Sequence, residues 1–406
     1  MPSYTMFMRD NARWLLGGFL LTFFSGFGQT YFISLAGAEI RGEYKLSHGE
    51  FGGLYMLATL ASAATLPMLG RVVDIYSVAR TVLIVVPMLA LAATSMALSQ
   101  SVVALALTLY LLRLFGQGMM THTAMTAMGR WYTGHRGRAV SLVALGHQSG
   151  EAIFPLLTVS LFAWLGWRQT WLLGAATLLV LALPVLYLLL LQERQPLHSD
   201  APEKRASKKH WRRDEVLRDP LFWRLICAVM APSFIGTAIF FHQDYLLTLR
   251  SWPAQSFASA FILLATITVI SSLIAGQLID RFSGVSLLPY FLLPLALGCG
   301  VIWAVEQEYG IYLFMGLLGV SAGMSSVLYG SLWPELYGTK HLGSIRSVIT
   351  ALLVLSSALG PGITGWLIDA GVAYPLQMLV LGGYCLLACL MMIPLKLKLQ
   401  LRQQSA

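Results

Sequence analysis

The sequence predicts an all-α integral membrane protein, with twelve transmembrane helices arranged as two six-helix repeats. Three observations predict it. The first is composition: of 406 residues, 57% are hydrophobic and 11% charged, and the mean hydropathy is +0.70. Soluble globular chains carry about 25% charged residues, and so few charges cannot cover a water-facing surface. The second is run length. The apolar stretches last roughly 20 residues, enough for a helix to cross the hydrocarbon core, and lack the period-two alternation of a barrel strand. The third is a repeat. Gly70-Arg71-Val72-Val73-Asp74-Ile75-Tyr76-Ser77 recurs as Gly276-Gln277-Leu278-Ile279-Asp280-Arg281-Phe282-Ser283, an offset of 206 residues. Gly137 with Gly343, and Pro155 with Pro361, keep the same register.

Span 1 is expected over 13–37, after a short polar N-terminus that lacks the pattern of a cleavable signal. Spans 2 to 6 follow at 50–70, 80–98, 101–128, 138–164 and 170–191. The stretch 192–220 holds three prolines and many charges, so it cannot span and has too little apolar content to fold alone. It reads as a cytosolic linker. Spans 7 to 12 then run over 222–249, 255–279, 286–304, 310–332, 344–368 and 374–394. The expected domains are therefore 1–191, the linker 192–220 and 221–406.

Orientation follows from the basic residues. With both termini in the cytosol, only Arg41, Lys45, Arg168 and Arg250 of the 27 Lys and Arg fall outside, and Arg113 lies within a span. Such a bias marks the inner face of a membrane. It also accounts for the net charge of +9 through anionic headgroups rather than nucleic acid. Tryptophans such as Trp14, Trp131, Trp167, Trp223, Trp252 and Trp333 fall near span ends, where an indole sits well. The four cysteines lie inside apolar segments and imply no disulfide framework. No metal or cofactor motif is present, nor a Gly-x-x-x-x-Gly-Lys-Ser/Thr loop, so direct ATP drive is not expected.

The recurring Gly-x-x-x-Asp has a physical logic. Gly70 and Gly276 let helices approach closely, while Asp74 and Asp280 can face a helix N-terminus at the membrane surface. Twelve spans, a six-plus-six repeat, a long linker and this loop together resemble the major facilitator superfamily. The second copy, from Gly276 through Asp280 and Arg281 to Gly284, is similar to the superfamily's loop signature. The first departs from it, with Ile75 in place of the basic residue. Arg130-Trp131-Tyr132-Thr133-Gly134-His135-Arg136-Gly137-Arg138-Ala139, followed by Gly146, Gly150 and Pro155, is similar to the monocarboxylate and oxalate/formate branch. The acidic residue that monocarboxylate carriers place in span 1 is absent, since this chain reads Ser25-Gly26-Phe27-Gly28-Gln29-Thr30-Tyr31. The resemblance implies a secondary carrier working by alternating access, one half rocking against the other, in a bacterial inner membrane and as a monomer.

Polar residues inside spans are the candidate binding groups, because a charge at the bilayer centre costs at least ~2.5–3.5 kcal/mol. Tyr110, Arg113, Gln117 and Thr121 recur at helical spacing in span 4, which makes one polar stripe. In the superfamily's arrangement that stripe lines the central cavity. Arg113 can fork onto a carboxylate, either of a substrate or of the protein. Span 5 offers Glu151 near the same depth, with His147 one turn before it. Glu151 and His147 could carry a proton, or Glu151 could form a static bridge to Arg113. Gln29 and Tyr31 in span 1 and His242 in span 7 are further cavity candidates. His122, at the inner end of span 4, reads as a packed histidine, and Tyr329, Ser356 and Ser357 are candidates only through the repeat.

These residues point to a small organic anion moved by proton coupling or exchange. Proton-driven efflux of amphipathic compounds and a sensor on a carrier fold remain alternatives. An intramembrane enzyme would need a nucleophile–base pair or a metal cluster, and the scattered His122, His147 and His242 supply neither.

Overall fold

The computed structural model describes residues 4–132, 136–195, 211–338 and 341–404. All regular structure among them is helical, and a helix stands at each position where a span was expected. Among the described residues, nine helices are long and apolar enough to cross a membrane, and a tenth is a pair bent by 44°. Arg136–Leu165, which carries His147 and Glu151, and the short Leu293–Ala304 stand at expected span positions but are not among these ten. Two units emerge: Met1–Leu46 with Leu54–Lys204, and Ser47–Gly53 with Arg205–Ala406. Within the expected linker 192–220, positions 196–210 lie outside the described residues.

In the first unit, span 1 is broken rather than continuous. Ala12–Phe24 gives way to a 3-10 turn over Ser25–Gly28. Gln29 is then extended (φ −86°, ψ 152°), and helix resumes at Thr30–Ile33 and again at Gly37–Tyr44. Two glycines in four residues weaken the helix here, and both are pressed against neighbours. A Cβ on Gly26 would lie 2.6 Å from the Phe154 ring and the Tyr31 hydroxyl; one on Gly28 would lie 2.2 Å from the Leu112 carbonyl oxygen. Span 4 is also irregular: Val102–Leu111 is α-helix, Leu112–Met120 winds as a π-helix, and Thr121–Trp131 returns to α. Spans 3 and 4 start at serine caps, Ser77 accepting from the Arg80 N–H and Ser101 from the Ala104 N–H.

The end of this unit is clamped by arginines. Buried Arg194 donates to Asn11 Oδ1 (2.9 Å) and to the Trp131 carbonyl, and lies over the Tyr132 ring at 4.2 Å. Arg130 reaches the Val73 carbonyl (3.1 Å) and pairs with Glu193 (3.2 Å), which also caps the Val78 N–H.

In the second unit, span 7 (Pro220–Phe241) opens with Pro220 just after the capping Asp219. Asp219 also holds Arg402 at 2.6 Å and the Tyr337 hydroxyl at 3.1 Å. Span 7 was expected to be continuous but turns at His242 before Gln243–Arg250. Span 9 is likewise split, into Gly284–Leu287 and Leu293–Ala304. Pro289 and Pro294 lack the N–H groups that a continuous helix would use there. Span 11 (Leu342–Asp369) packs closely on span 7. Gly360 sits where a Cβ would be 2.5 Å from the Phe234 carbonyl oxygen, and Thr237 and Ser356 donate to the Ser357 and Met230 carbonyls. Asp369 caps the segment that joins this unit from the start of span 2: it accepts from the Ser47 hydroxyl (2.6 Å) and the N–H groups of His48 (3.2 Å) and Gly49 (2.7 Å).

The repeated loop is not the same in both copies. Helix ends at Leu69 in the first, and a Cβ on Gly70 would lie 3.1 Å from His122 Nε2. In the second the helix runs on to Phe282, and a Cβ on Gly276 would meet nothing within 4 Å. Close approach is thus present at Gly70 and absent at Gly276 in this structure. The side chains of Asp74 and Asp280 lie outside the described residues. Arg281 is exposed, its guanidinium 5.1 Å from the Phe282 ring centre.

Candidate functional site

The break in span 1 positions the candidate residues of the first unit. A broken helix leaves backbone carbonyls without helical partners, and such acceptors in a membrane must be met by side chains or ligands. Arg113, 1% exposed, meets one of them. Its Nη1 donates to the Gly28 carbonyl at 3.1 Å and reaches Thr30 Oγ1 at 3.4 Å. The guanidinium also lies 5.3 Å from the ring centre of Tyr55, whose hydroxyl shares a 2.7 Å hydrogen bond with Thr30. Its Nε has no hydrogen-bond partner among the described residues.

No carboxylate pairs with Arg113 among the described residues, so the static bridge to Glu151 is not formed. Arg113 turns toward the broken backbone of span 1 instead. Glu151 and His147 lie near Tyr31, in the helix that follows the same break. The His147 ring lies 6.1 Å from that of Tyr31, Glu151 is within electrostatic reach of Tyr31, and both keep part of their surface accessible. A Cβ on Gly150 would be 3.2 Å from the Tyr31 hydroxyl, so the small residue makes room for the phenol.

The expected polar stripe of span 4 is divided by the π segment. A π turn holds more residues than an α turn, so a 3.6-residue stripe loses its face across it. Tyr110, before the segment, donates to Thr65 Oγ1 at 3.1 Å in span 2. Gln117, inside it, is half-buried, with its backbone nitrogen against Gly28. Gln29 is half-buried, with Nε2 3.5 Å from Ser25 Oγ.

His242 belongs to the second unit. It is 1% exposed, and its Nε2 is 2.9 Å from the Pro361 carbonyl oxygen, so it ties the turn in span 7 to span 11. Tyr329, Ser356 and Ser357 all donate to carbonyls within that unit. Sequence reasoning passed over Tyr55 and Gly28. Tyr55 carried a weak signal, a buried phenol in an apolar span. Gly28 carried a stronger one, the Gly-x-Gly inside span 1.

The repeat sharpens the picture. At the 206-residue offset Arg113 corresponds to Gly319, Tyr110 to Gly316, Gln117 to Gly323, His147 to Leu353 and Glu151 to Ser357. The positions matching the span 1 break and the π segment, 231–235 and 318–326, are regular α-helix. A Cβ on Gly319 would lie 2.8 Å from the Leu264 carbonyl oxygen, so no arginine fits there. Among the described residues, a buried arginine inside a span sits beside irregular backbone in the first copy, and the matching positions of the second copy are helical and uncharged.

Comparison with known proteins agrees with the architecture. Residues 18–361 match the family model of the Major Facilitator Superfamily. No curated protein sequence matches this chain. A crystal structure of a bacterial homologue of the human lysosomal transporter Spinster, inward-facing and unoccupied, is similar with a TM-score of 0.72 at 15% identity, over 99% of both chains. The same kind of protein in an inward-facing, occupied form gives a TM-score of 0.66 at 16% identity, over 96% of this chain and 94% of that one. The chain belongs to the major facilitator superfamily: it is a multi-pass membrane transporter of a small-molecule solute and not an enzyme.

Proposed function

We propose that the solute is a small organic anion of the carboxylate type, carried by alternating access with proton coupling or exchange. One observation carries this reading: Arg113 is 1% exposed, lies within a span and has no carboxylate partner among the described residues. A charge in the membrane interior is costly and calls for a counter-charge. A substrate carboxylate would supply it, accepting from Nε and the guanidinium fork. The partial resemblance of 130–155 to the monocarboxylate and oxalate/formate branch supports the same class.

Glu151 and His147 are the proposed proton-handling pair, because they lie near Tyr31, next to the Thr30 that Arg113 reaches. An anion that drew Arg113 away from Gly28 would loosen the segment against which Tyr31 packs. Gln117, Tyr110, Gln29 and His242 are proposed to shape or support the solute's path. Gly70, Asp74, Gly276, Asp280 and Arg281 are proposed to act in conformational gating. Both termini are proposed to be cytosolic in a bacterial inner membrane, with halves at 1–191 and 221–406.

The test is flux into proteoliposomes across a panel of mono- and dicarboxylates, with and without an inward proton gradient. Saturable uptake or counterflow of a carboxylate supports the reading. Flux confined to cationic or neutral amphiphiles sinks it.

A further inference from the structure

Two neighbouring helices of the second unit carry a proline in their interior: Pro334 in span 10 (Tyr309–Tyr337) and Pro361 in span 11. Proline has no N–H, so each leaves the carbonyl four residues earlier without its helical donor. The two carbonyls are those of Gly330 and Ser357. Within a membrane such an oxygen must be met by another group. Each is met from a neighbouring span. The Ser357 carbonyl accepts from the Thr237 hydroxyl of span 7 at 2.9 Å, and the Gly330 carbonyl accepts from Arg346 Nη2 of span 11 at 2.7 Å.

The surroundings of the two substitutes differ. Ser357 is buried and Thr237 half-buried, so water does not readily replace the hydroxyl there. Gly330 and Arg346 are both exposed, and a Cβ on Gly330 would meet nothing within 4 Å. Arg346 forms no ion pair among the described residues that would hold it in place. When guanidinium and carbonyl part, water can solvate both. One proline bend is therefore locked, and the other can open and reclose. The repeat points the same way. At the 206-residue offset Gly330, Pro334 and Arg346 correspond to Ala124, Met128 and Val140. Met128 keeps its N–H within the regular helix Thr121–Trp131. The copy without this proline is also the copy without this arginine.

We propose that Arg346 is a releasable clasp on span 10: its guanidinium stands in for the N–H that Pro334 lacks, and its departure lets the end of the helix beyond Pro334 bend. With the clasp closed, as in this structure, span 10 stays helical through Pro334 to Tyr337, and Trp333 and Tyr337 remain stacked at 6.5 Å. With it open, the turn around Pro334 yields while the Ser357 bend of span 11 stays fixed. Arg346 is thus a positioning residue, and the device requires no particular solute.

Amide hydrogen exchange of the full chain in lipid nanodiscs, followed by mass spectrometry on peptides covering 325–338, tests this. Arg346→Met keeps the apolar stem and removes the donor. It should speed exchange in those peptides about tenfold, the worth of one hydrogen bond from a charged donor. Peptides around Ser357 should not respond. Pro334→Ala restores the missing N–H, so adding Arg346→Met to that variant should leave exchange unchanged. An Arg346→Met effect of equal size with and without Pro334→Ala overturns the proposal, as does no effect at all or one that spreads to the Ser357 bend. If Arg346→Met fails to fold, recovery of folded protein on adding Pro334→Ala supports the clasp, and failure of both overturns it. The measurement involves no transport, so it stands or falls apart from the anion reading.

Discussion

Gly28 and Gly116 meet backbone to backbone inside the first unit. A Cβ on Gly28 would lie 2.6 Å from the Gly116 Cα, and one on Gly116 would lie 2.5 Å from the Gly28 Cα. The break of span 1 and the π segment of span 4 are thus two faces of one contact. Each irregular backbone lets the other come close, and Arg113 crosses the seam to hold the Gly28 carbonyl.

Alanine at either position should therefore be destabilising, by about 1–3 kcal/mol for overpacking against rigid backbone. Gly276→Ala should be neutral or stabilising by up to about 1 kcal/mol, since its Cβ meets nothing within 4 Å in a helix interior. Thermal unfolding of the three variants in one detergent checks the order. Equal melting temperatures for Gly28→Ala and Gly276→Ala would show that the seam is not tight.

Arg113→Lys keeps the charge and loses the planar fork. Apparent affinity for the carboxylate solute should fall at least tenfold, with Tyr55→Phe milder because it keeps the ring beneath the guanidinium. Uptake against concentration gives both numbers. An Arg113→Lys protein with unaltered affinity would assign Arg113 to holding span 1 alone.

Glu151→Gln mimics a carboxyl that never releases its proton. Gradient-driven accumulation should be lost while solute counterflow persists, because exchange needs no net proton movement. Parallel assays on one preparation separate the two, and accumulation at the unaltered level would exclude Glu151 from coupling.

Asp369 accepts from three donors at the start of the helix beginning at His48. Asp369→Ala should cost about 1 kcal/mol, the usual worth of an N-cap side chain, and Asp369→Asn much less, because asparagine caps nearly as well. A melt of both variants distinguishes capping from charge. Equal losses would assign the effect to the carboxylate's charge.

The membrane class, the repeat and the polar residues of spans 4 and 5 were legible because each leaves a mark in composition or spacing. The split of span 9 was not expected, although Pro289 and Pro294 were an available sign of it. The π segment left none: nothing in the spacing of Leu112–Met120 marks a change of winding, and the segment meets Gly28, 88 residues upstream of Gly116. The hold of Arg113 on the Gly28 carbonyl was not legible for a related reason. Spacing reveals side chains that share a face, whereas this guanidinium binds a backbone oxygen, which every residue type offers alike. Gly26 and Gly28 were the available clue that such an oxygen would be exposed within span 1.

The winding of span 4 has a consequence for the chain's tolerance of length changes. A π segment is an α-helix that has absorbed surplus residue without lengthening in proportion. Deleting a single residue between Leu112 and Met120 would let the helix relax to ordinary pitch. Everything from Thr121 to Trp131 would then keep its register with the inner loop, while the opening for Gly28 closed. The same deletion in 318–326 would have no surplus to draw on and would rotate the following helix by about 100°. One half of this molecule has slack built into its scaffold, placed beside the buried guanidinium of Arg113, and the matching segment of the other half has none.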